Sequence, residues 1–228
     1  MERLIAGFRQ FQATHFSENR ETFAQLAENG QSPRALVIAC CDSRVDPQMI
    51  FGVGPGEIFV IRNVANLVPP FEPGAEKYHG TSAALEFGVR GLQVEHIIVL
   101  GHGGCGGIRA LLQGPGPTGT DFIGSWMQIA DDARQRVLTG HCCQAGDDPQ
   151  RALELEAIKT SLANLMSFPW IRERVEAGQL ELHGWLFALD SGELLYHDPE
   201  QQKFVPFPTA EGDEIDEAAH HRSRSSLG

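Results

Sequence analysis

Apolar and polar positions follow two different rhythms along this chain. Over residues 1–30, Leu4, Ile5, Phe8, Phe11 and Phe16, then Phe23, Leu26 and Ala27, recur every three to five positions. That spacing predicts helix. The stretch reads in two ways: Phe8 and Phe11 face the core of their own chain, or it forms a detached amphipathic arm that packs on another subunit. After Pro33 the rhythm changes. Ala35-Leu36-Val37-Ile38-Ala39 is a continuous apolar run, which suits a strand buried on both faces of a parallel sheet. Ile58-Phe59-Val60-Ile61 is a second such run, and residues 95–100, rich in β-branched side chains, are a third. Helical spacing returns at 82–89, at 108–112 and at 151–166. Residues 180–187 predict a fourth strand and 193–196 its hairpin partner.

Strands alternating with helices predict an α/β fold: a central, mostly parallel β-sheet with an added late antiparallel strand and flanking helices. No internal repeat is visible. The segments 114–118 and 140–149 read as surface loops. Residues 209–228 hold five acids, two His and two Arg, with almost nothing apolar beyond Ile215 and Leu227. Such a composition cannot bury enough surface to order itself. The expected organisation is therefore one domain over 1–208, with 1–30 as its helical arm, and a disordered tail over 209–228.

Composition narrows the function. A domain of 228 residues is large enough to fold without a disulfide or metal, so any metal needs a functional reason. Thirty acids against 18 bases give a net charge of −12, which argues against nucleic-acid or anionic-membrane partners. No apolar run is long enough for a membrane span. Charges inside the first apolar stretch, at Glu2, Arg3 and Arg9, argue against a secretory signal. Five cysteines, an odd count with two adjacent pairs, do not resemble a disulfide framework. A reducing, cytoplasmic location is expected.

Chemistry gathers where the apolar runs stop. The first run ends in Cys40-Cys41-Asp42-Ser43-Arg44 and the third in Gly101-His102-Gly103-Gly104-Cys105-Gly106-Gly107. Sites in open parallel sheets form at the carboxyl ends of strands. Two such ends offer Cys40, His102 and Cys105, a Cys2His set for zinc that leaves a fourth position for water. Cys41 points the opposite way if the strand persists that far. Glycines around His102 let the backbone bend sharply towards an ion. Asp42 and Arg44 are two apart and can face one way: the carboxylate to orient a metal-bound hydroxide, the guanidinium to hold the carboxylate ionised. A solvent-facing ion pair in a turn is the plainer reading of that pair. Gly101, Gly103 and Gly106 also match a dinucleotide fingerprint, with Asp121 about 20 residues on. That reading leaves Cys40, Asp42 and Arg44 unexplained. Cys142 and Cys143 read as ordinary thiols, and His220 and His221 as solvated. His79 is a weak candidate for a proton shuttle.

At these residues a resemblance becomes specific. Cys40-x-Asp42-x-Arg44, followed about 60 residues later by His102-x-x-Cys105, resembles the β-class carbonic anhydrases. Gln31-Ser32-Pro33, residues 62–67 and His183-Gly184-Trp185 extend the likeness over roughly 1–205. The resemblance implies one zinc ion on Cys40, His102 and Cys105, with Asp42 and Arg44 as catalytic dyad. It implies Gln31 as the group facing the product anion, and Phe59, Val64 and Gly106 lining a small apolar pocket. Phe87 joins that pocket where the family often has Tyr. The site is expected at a dimer interface, in a dimer or dimer of dimers, with the N-terminal helices on the partner subunit. Val37, Ala39 and Phe187 stand where some members carry the Trp, Gly and Tyr of a non-catalytic bicarbonate site, so the resemblance is to the subgroup without it.

The implied reaction is reversible hydration of carbon dioxide to bicarbonate and a proton by zinc-bound hydroxide. Two thiolates offset the charge of the ion, so activity is expected to favour alkaline pH. Two alternatives share the motif: a carbonyl sulfide or carbon disulfide hydrolase on the same scaffold, and a non-catalytic zinc-binding scaffold, against which the Asp42–Arg44 pair speaks.

Overall fold

In the computed structural model, described over residues 1–74, 79–114, 121–140 and 148–207, the three continuous apolar runs become neighbouring strands. In chain order the elements are α1 (Glu2–Phe11), α2 (Arg20–Asn29), β1 (Ala35–Cys40), α3 (Pro47–Phe51), β2 (Ile58–Asn63), α4 (Gly80–Glu86), β3 (His96–His102), α5 (Gly106–Gln113), α6 (Ile123–Met127), α7 (Asp131–Leu138), α8 (Pro149–Leu165), α9 (Pro169–Glu176), β4 (Glu181–Phe187), β5 (Leu194–Asp198) and β6 (Lys203–Pro206). The sheet order is β2-β1-β3-β4-β5-β6. The first four strands run parallel, and β5 and β6 add an antiparallel edge. The expected hairpin partner is β5; β6 extends it by one strand that the alternation did not mark.

Continuity of the apolar runs follows from cover on both faces. Leu36 and Ile38 of β1 join a core with Ile97, Val99 and Ile158. Val37 and Ala39 pack on the opposite face with Ile98, Leu100 and Trp185. Helix α8 supplies part of the first cover through Leu155, Ile158 and Leu165, beside Leu85, Val89, Phe168 and Ile171. Asp148 caps it, accepting from the backbone N–H groups of Gln150 and Arg151, and Pro149 opens its first turn. Nine of its residues are buried, Glu154, Glu156 and Ser161 among them. Ile158 sits over the bare Cα atoms of two sheet glycines. A Cβ on Gly101 would lie 2.7 Å from Ile158 Cδ1, and one on Gly184 would lie 2.8 Å from Ile158 Cγ2 and 2.9 Å from Leu162 Cδ1.

Residues 1–30 form α1 and α2, joined through a π-turn at Gln12–Phe16. Neither helix has a buried residue. Phe8 is 57% and Phe11 38% exposed, so the core-facing reading of these phenylalanines fails within the chain. Phe11, Phe16 and Phe23 instead pack on one another. Helices α6, α7 and α9 were not marked by the apolar rhythm. Met127 of α6 and Ala133 of α7 join the core that holds Cys40 and Cys105, with α7 packed on α8, and Ile171 of α9 joins the core of Leu36 and Ile97. The expected tail over 209–228, with His220 and His221, and the loop cysteines Cys142 and Cys143 lie outside the described residues.

The packing over Gly184 predicts a cost for filling it. Gly184→Ala forces Ile158 and Leu162 aside, and overpacking of this kind costs about 1–3 kcal/mol. Urea unfolding at fixed protein concentration should show a lower midpoint with unchanged slope; an unchanged midpoint would mean that α8 yields freely.

Candidate metal centre

Parallel pairing aligns the ends of β1 and β3. Ala39 is registered on Leu100, so Cys40 closes one strand beside the end of the other, where His102 stands. The chain must then turn back within three residues to bring in Cys105. Gly104 makes the turn with φ +67°, a conformation that side chains disfavour. Cys105 is the N-cap residue of α5. Cys40, His102 and Cys105 are 5%, 1% and 1% exposed, and their ligand atoms lie within 4.8 Å of one another.

The histidine is oriented as a ligand. Its Nδ1 donates to the Gly103 carbonyl at 3.0 Å, which leaves the Nε2 lone pair facing the thiols. Nε2 is buried without a hydrogen-bond partner. Buried polar atoms are rarely left so. The two thiols cannot both carry charge cheaply at this range: Cys105 and His102 beside it pull Cys40 down to about 4, while Cys40 and burial push Cys105 up. Backbone N–H groups of Asp42 and Ala65 also support a Cys40 thiolate, and those of Gly107 and Ile108 a Cys105 thiolate. Two thiolates and a free imidazole nitrogen fit a borderline-soft divalent ion such as zinc.

The surroundings fix this set. Ala65 and Asn66 hold φ of 63° and 48°, uncommon for side-chain-bearing residues, in a tight turn at Val64–Asn66. Trp126 anchors that turn by donating from Nε1 to the Val64 carbonyl at 2.8 Å. Arg62 donates to the carbonyls of Cys40, Asp42 and Val45 and to the Asp46 carboxylate, clamping the loop after β1. Glu154, 4% exposed, accepts from the Cys105 backbone N–H at 3.0 Å and from Gln150 Nε2 at 3.0 Å. The sequence reading missed Glu154. Its signal was a carboxylate set between Leu153 and Leu155 in a helix with apolar residues on several faces.

Asp42 and Arg44 meet as the spacing predicted. Arg44 donates from Nε to Asp42 Oδ1 at 2.9 Å and from Nη2 to Oδ2 at 2.7 Å, and its backbone N–H reaches Oδ1 at 2.9 Å. Nη2 also bonds the Gly104 carbonyl at 3.0 Å, tying the pair to the turn between His102 and Cys105. The guanidinium, helped by that backbone N–H, holds the Asp42 carboxyl well below the usual range. Asp42 Oδ2 lies 3.8 Å from His102 Nε2. The Asp42 side chain is turned inward, 18% exposed, while the Arg44 side chain that holds it is 53% exposed, so the solvent-facing reading holds for Arg44 and not for Asp42.

Other candidates are spread out. Val64 packs towards the start of α5, within 3.0 Å of where a Gly107 Cβ would stand. Nothing crowds Gly106, the first residue of α5. Phe59 is registered on Leu36, four residues before Cys40, about 13 Å down the strand. Its ring lies 5.8 Å from that of Phe87, which is 53% exposed. Gln31 and Phe59 line one cleft with Ile58, Gln48 and Arg62. Arg44 lines a different one, with Gly103, Gly104 and Arg151. His79 faces a third, against Phe71 and Trp170. One chain therefore brings together the metal ligands and the dyad but not Gln31, Phe59 and Phe87. Exposed Cys41 takes no part, its backbone N–H bound to the Asn63 carbonyl. Gly101 lies under Ile158 rather than free for a phosphate, which removes the dinucleotide reading.

Comparison with known proteins agrees with this geometry. Residues 35–194 match the carbonic anhydrase family. A carbonic anhydrase of Synechococcus elongatus is 38% identical over 196 residues, 86% of this chain and 71% of that protein. The solved structure of the β-carbonic anhydrase CcaA superposes with a TM-score of 0.81 at 36% identity, covering 92% of this chain and 93% of that one. Tetrameric β-carbonic anhydrases of Sordaria macrospora superpose at 0.73 with 28% identity, covering 86% and 95%. Sequence family, solved structures and the gathered ligand set converge, and the chain belongs to the β-class carbonic anhydrases.

Proposed function

We propose that this chain hydrates carbon dioxide reversibly to bicarbonate and a proton, with Cys40, His102 and Cys105 holding one zinc ion. The observation that carries this reading is the partnerless, buried His102 Nε2 among two thiols, beside an ionised carboxylate. The metal, when bound, acidifies a coordinated water so that a nucleophile is available near neutral pH.

The chain's own residues do the rest. Asp42 Oδ2 accepts a hydrogen bond from the attacking water and sets which lone pair faces carbon. Arg44 keeps both carboxylate oxygens turned inward and charged. Glu154 holds the Cys105 backbone, so the thiolate does not drift when its charge is shared. Near Gly106 and Val64 the wall is apolar and small, which suits a small apolar substrate. Gln31, Phe59 and Phe87 sit too far down the sheet to reach their own site. We assign them to the site of a neighbouring subunit, in at least a dimer. Two observations support self-association: the apolar stripe of Leu4, Ile5, Phe8 and Phe11 exposed on α1, and the likeness to proteins described as tetrameric.

Residues 1–208 are read as one domain because a single sheet holds strands from 35 to 206; limited proteolysis that leaves 1–207 whole checks this. Among the described residues no helix is long and apolar enough to cross a membrane. Free Cys40, Cys41 and Cys105 suit a reducing cytoplasm, which cell fractionation would test.

Cys40→Ser should lose the zinc that survives dialysis, whereas Cys41→Ser should keep it, as read by metal analysis. Equal loss in both variants would mean that the ligand set is misassigned. Asp42→Asn should retain zinc yet lower turnover in stopped-flow carbon dioxide hydration by about 10²–10⁴-fold, the range for a positioned acid–base group. Near-normal turnover would reduce the pair to a structural tie, and faster turnover of carbonyl sulfide run in parallel would reassign the substrate. Replacing Phe8 and Phe11 together by Asp should lower the mass seen in sedimentation equilibrium; a monomeric wild type would refute the shared site.

A further inference from the structure

We propose that His96, Glu181 and His183 form a second metal site, for a divalent transition ion of the zinc type, at the opposite end of the sheet from the first. It is independent of the reaction described above. The three residues come from two adjacent parallel strands. His96 opens β3, Glu181 opens β4, and the two are register partners. His183 follows Glu181 by two positions, so its side chain falls on the same face.

The separations are those of ligands around one ion. His96 Nδ1 lies 3.2 Å from His183 Nε2. Glu181 Oε2 lies 3.7 Å from each of these nitrogens. A tetrahedral ion with bonds of about 2.0–2.2 Å sets its ligand atoms about 3.3–3.6 Å apart. Closing on an ion therefore asks for shifts of only a few tenths of an ångström. A hydrogen bond between the imidazoles explains the 3.2 Å contact. It does not explain a carboxylate oxygen equidistant from both nitrogens and beyond hydrogen-bond reach of either.

Preorganisation comes from the neighbours. The His183 ring packs against His96 at 5.3 Å and Trp185 at 6.0 Å between centroids, which limits its rotamers. The His96 and His183 side chains are 34% and 30% exposed and Glu181 is 69% exposed, so the remaining coordination positions open to water. Two imidazoles and a carboxylate suit zinc, cobalt, nickel or copper more than calcium or magnesium. Lacking thiolates and lying near water, this site should hold its ion more weakly than the buried one. Six steps along β3 lead from His96 to His102, about 20 Å. An ion here would pin the starts of β3 and β4 together and take no part in turnover.

The test uses the tag-free full chain, dialysed so that only tightly held zinc remains, then titrated with zinc chloride and followed by metal analysis after equilibrium dialysis. The wild type should take up one further equivalent. Glu181→Gln, at a largely exposed position that folding tolerates, and His96→Gln should each lose it. Cys40→Ser should still take it up while lacking the first. In ¹H–¹⁵N spectra of the imidazoles, the added zinc should shift His96 Nδ1 and His183 Nε2. The proposal is overturned if the wild type binds no further equivalent, if both variants bind it unchanged, or if only other histidines shift.

Discussion

Everything at the centre of this protein depends on the parallel pairing of β1 with β3. Backbone hydrogen bonds register Ala39 on Leu100 and so place two strand ends side by side. Cys40 and His102 are neighbours only because those strands stop together, and Cys105 joins them only because Gly104 can reverse the chain. A slip of one residue would turn every side chain of β1 to the other face. Ile158 of α8 on one face, and Phe51 of α3 packed with Trp185 on the other, oppose that slip.

Charge explains why the buried set needs an ion. Two buried thiols at close range do not both ionise readily without a cation, so one is pulled down and the other pushed up. A divalent ion held by Cys40, His102 and Cys105 would balance both thiolates and give His102 Nε2 a partner. Around this neutralised centre the protein adds balanced pairs. Asp42 is matched by Arg44, and Glu154 has Arg151 3.7 Å away. The ion pairs cost little net field while fixing geometry, which is what a small uncharged substrate requires.

The two ends of the sheet do different work. The carboxyl end carries the ligands and dyad. The amino end carries Gln31, Phe59 and the His96–Glu181–His183 cluster. An arm without a buried residue of its own, and Phe59 of β2 about 13 Å down the sheet from the level of Cys40, are the two features behind the proposed sharing of the site between chains.

Much of this was legible in the order of residues. The continuous apolar runs named the parallel strands, because only strands covered on both faces can dispense with polar positions. Cys40, Asp42, Arg44, His102 and Cys105 were legible because each follows such a run within a few residues, where local geometry nearly fixes direction. Helices α6, α7 and α9 were not, since their apolar positions are few and take meaning only from the surfaces they cover. Glu154 escaped for a related reason: it lies 49 residues beyond the backbone N–H it satisfies. His96 and His183, 87 residues apart, became neighbours only through strand register. The sequence by itself determined the strands and the chemistry at their ends, through short-range periodicity. Tertiary structure alone decided which distant polar groups meet, because those contacts are set by sheet order and by the packing of α8, which no local pattern encodes.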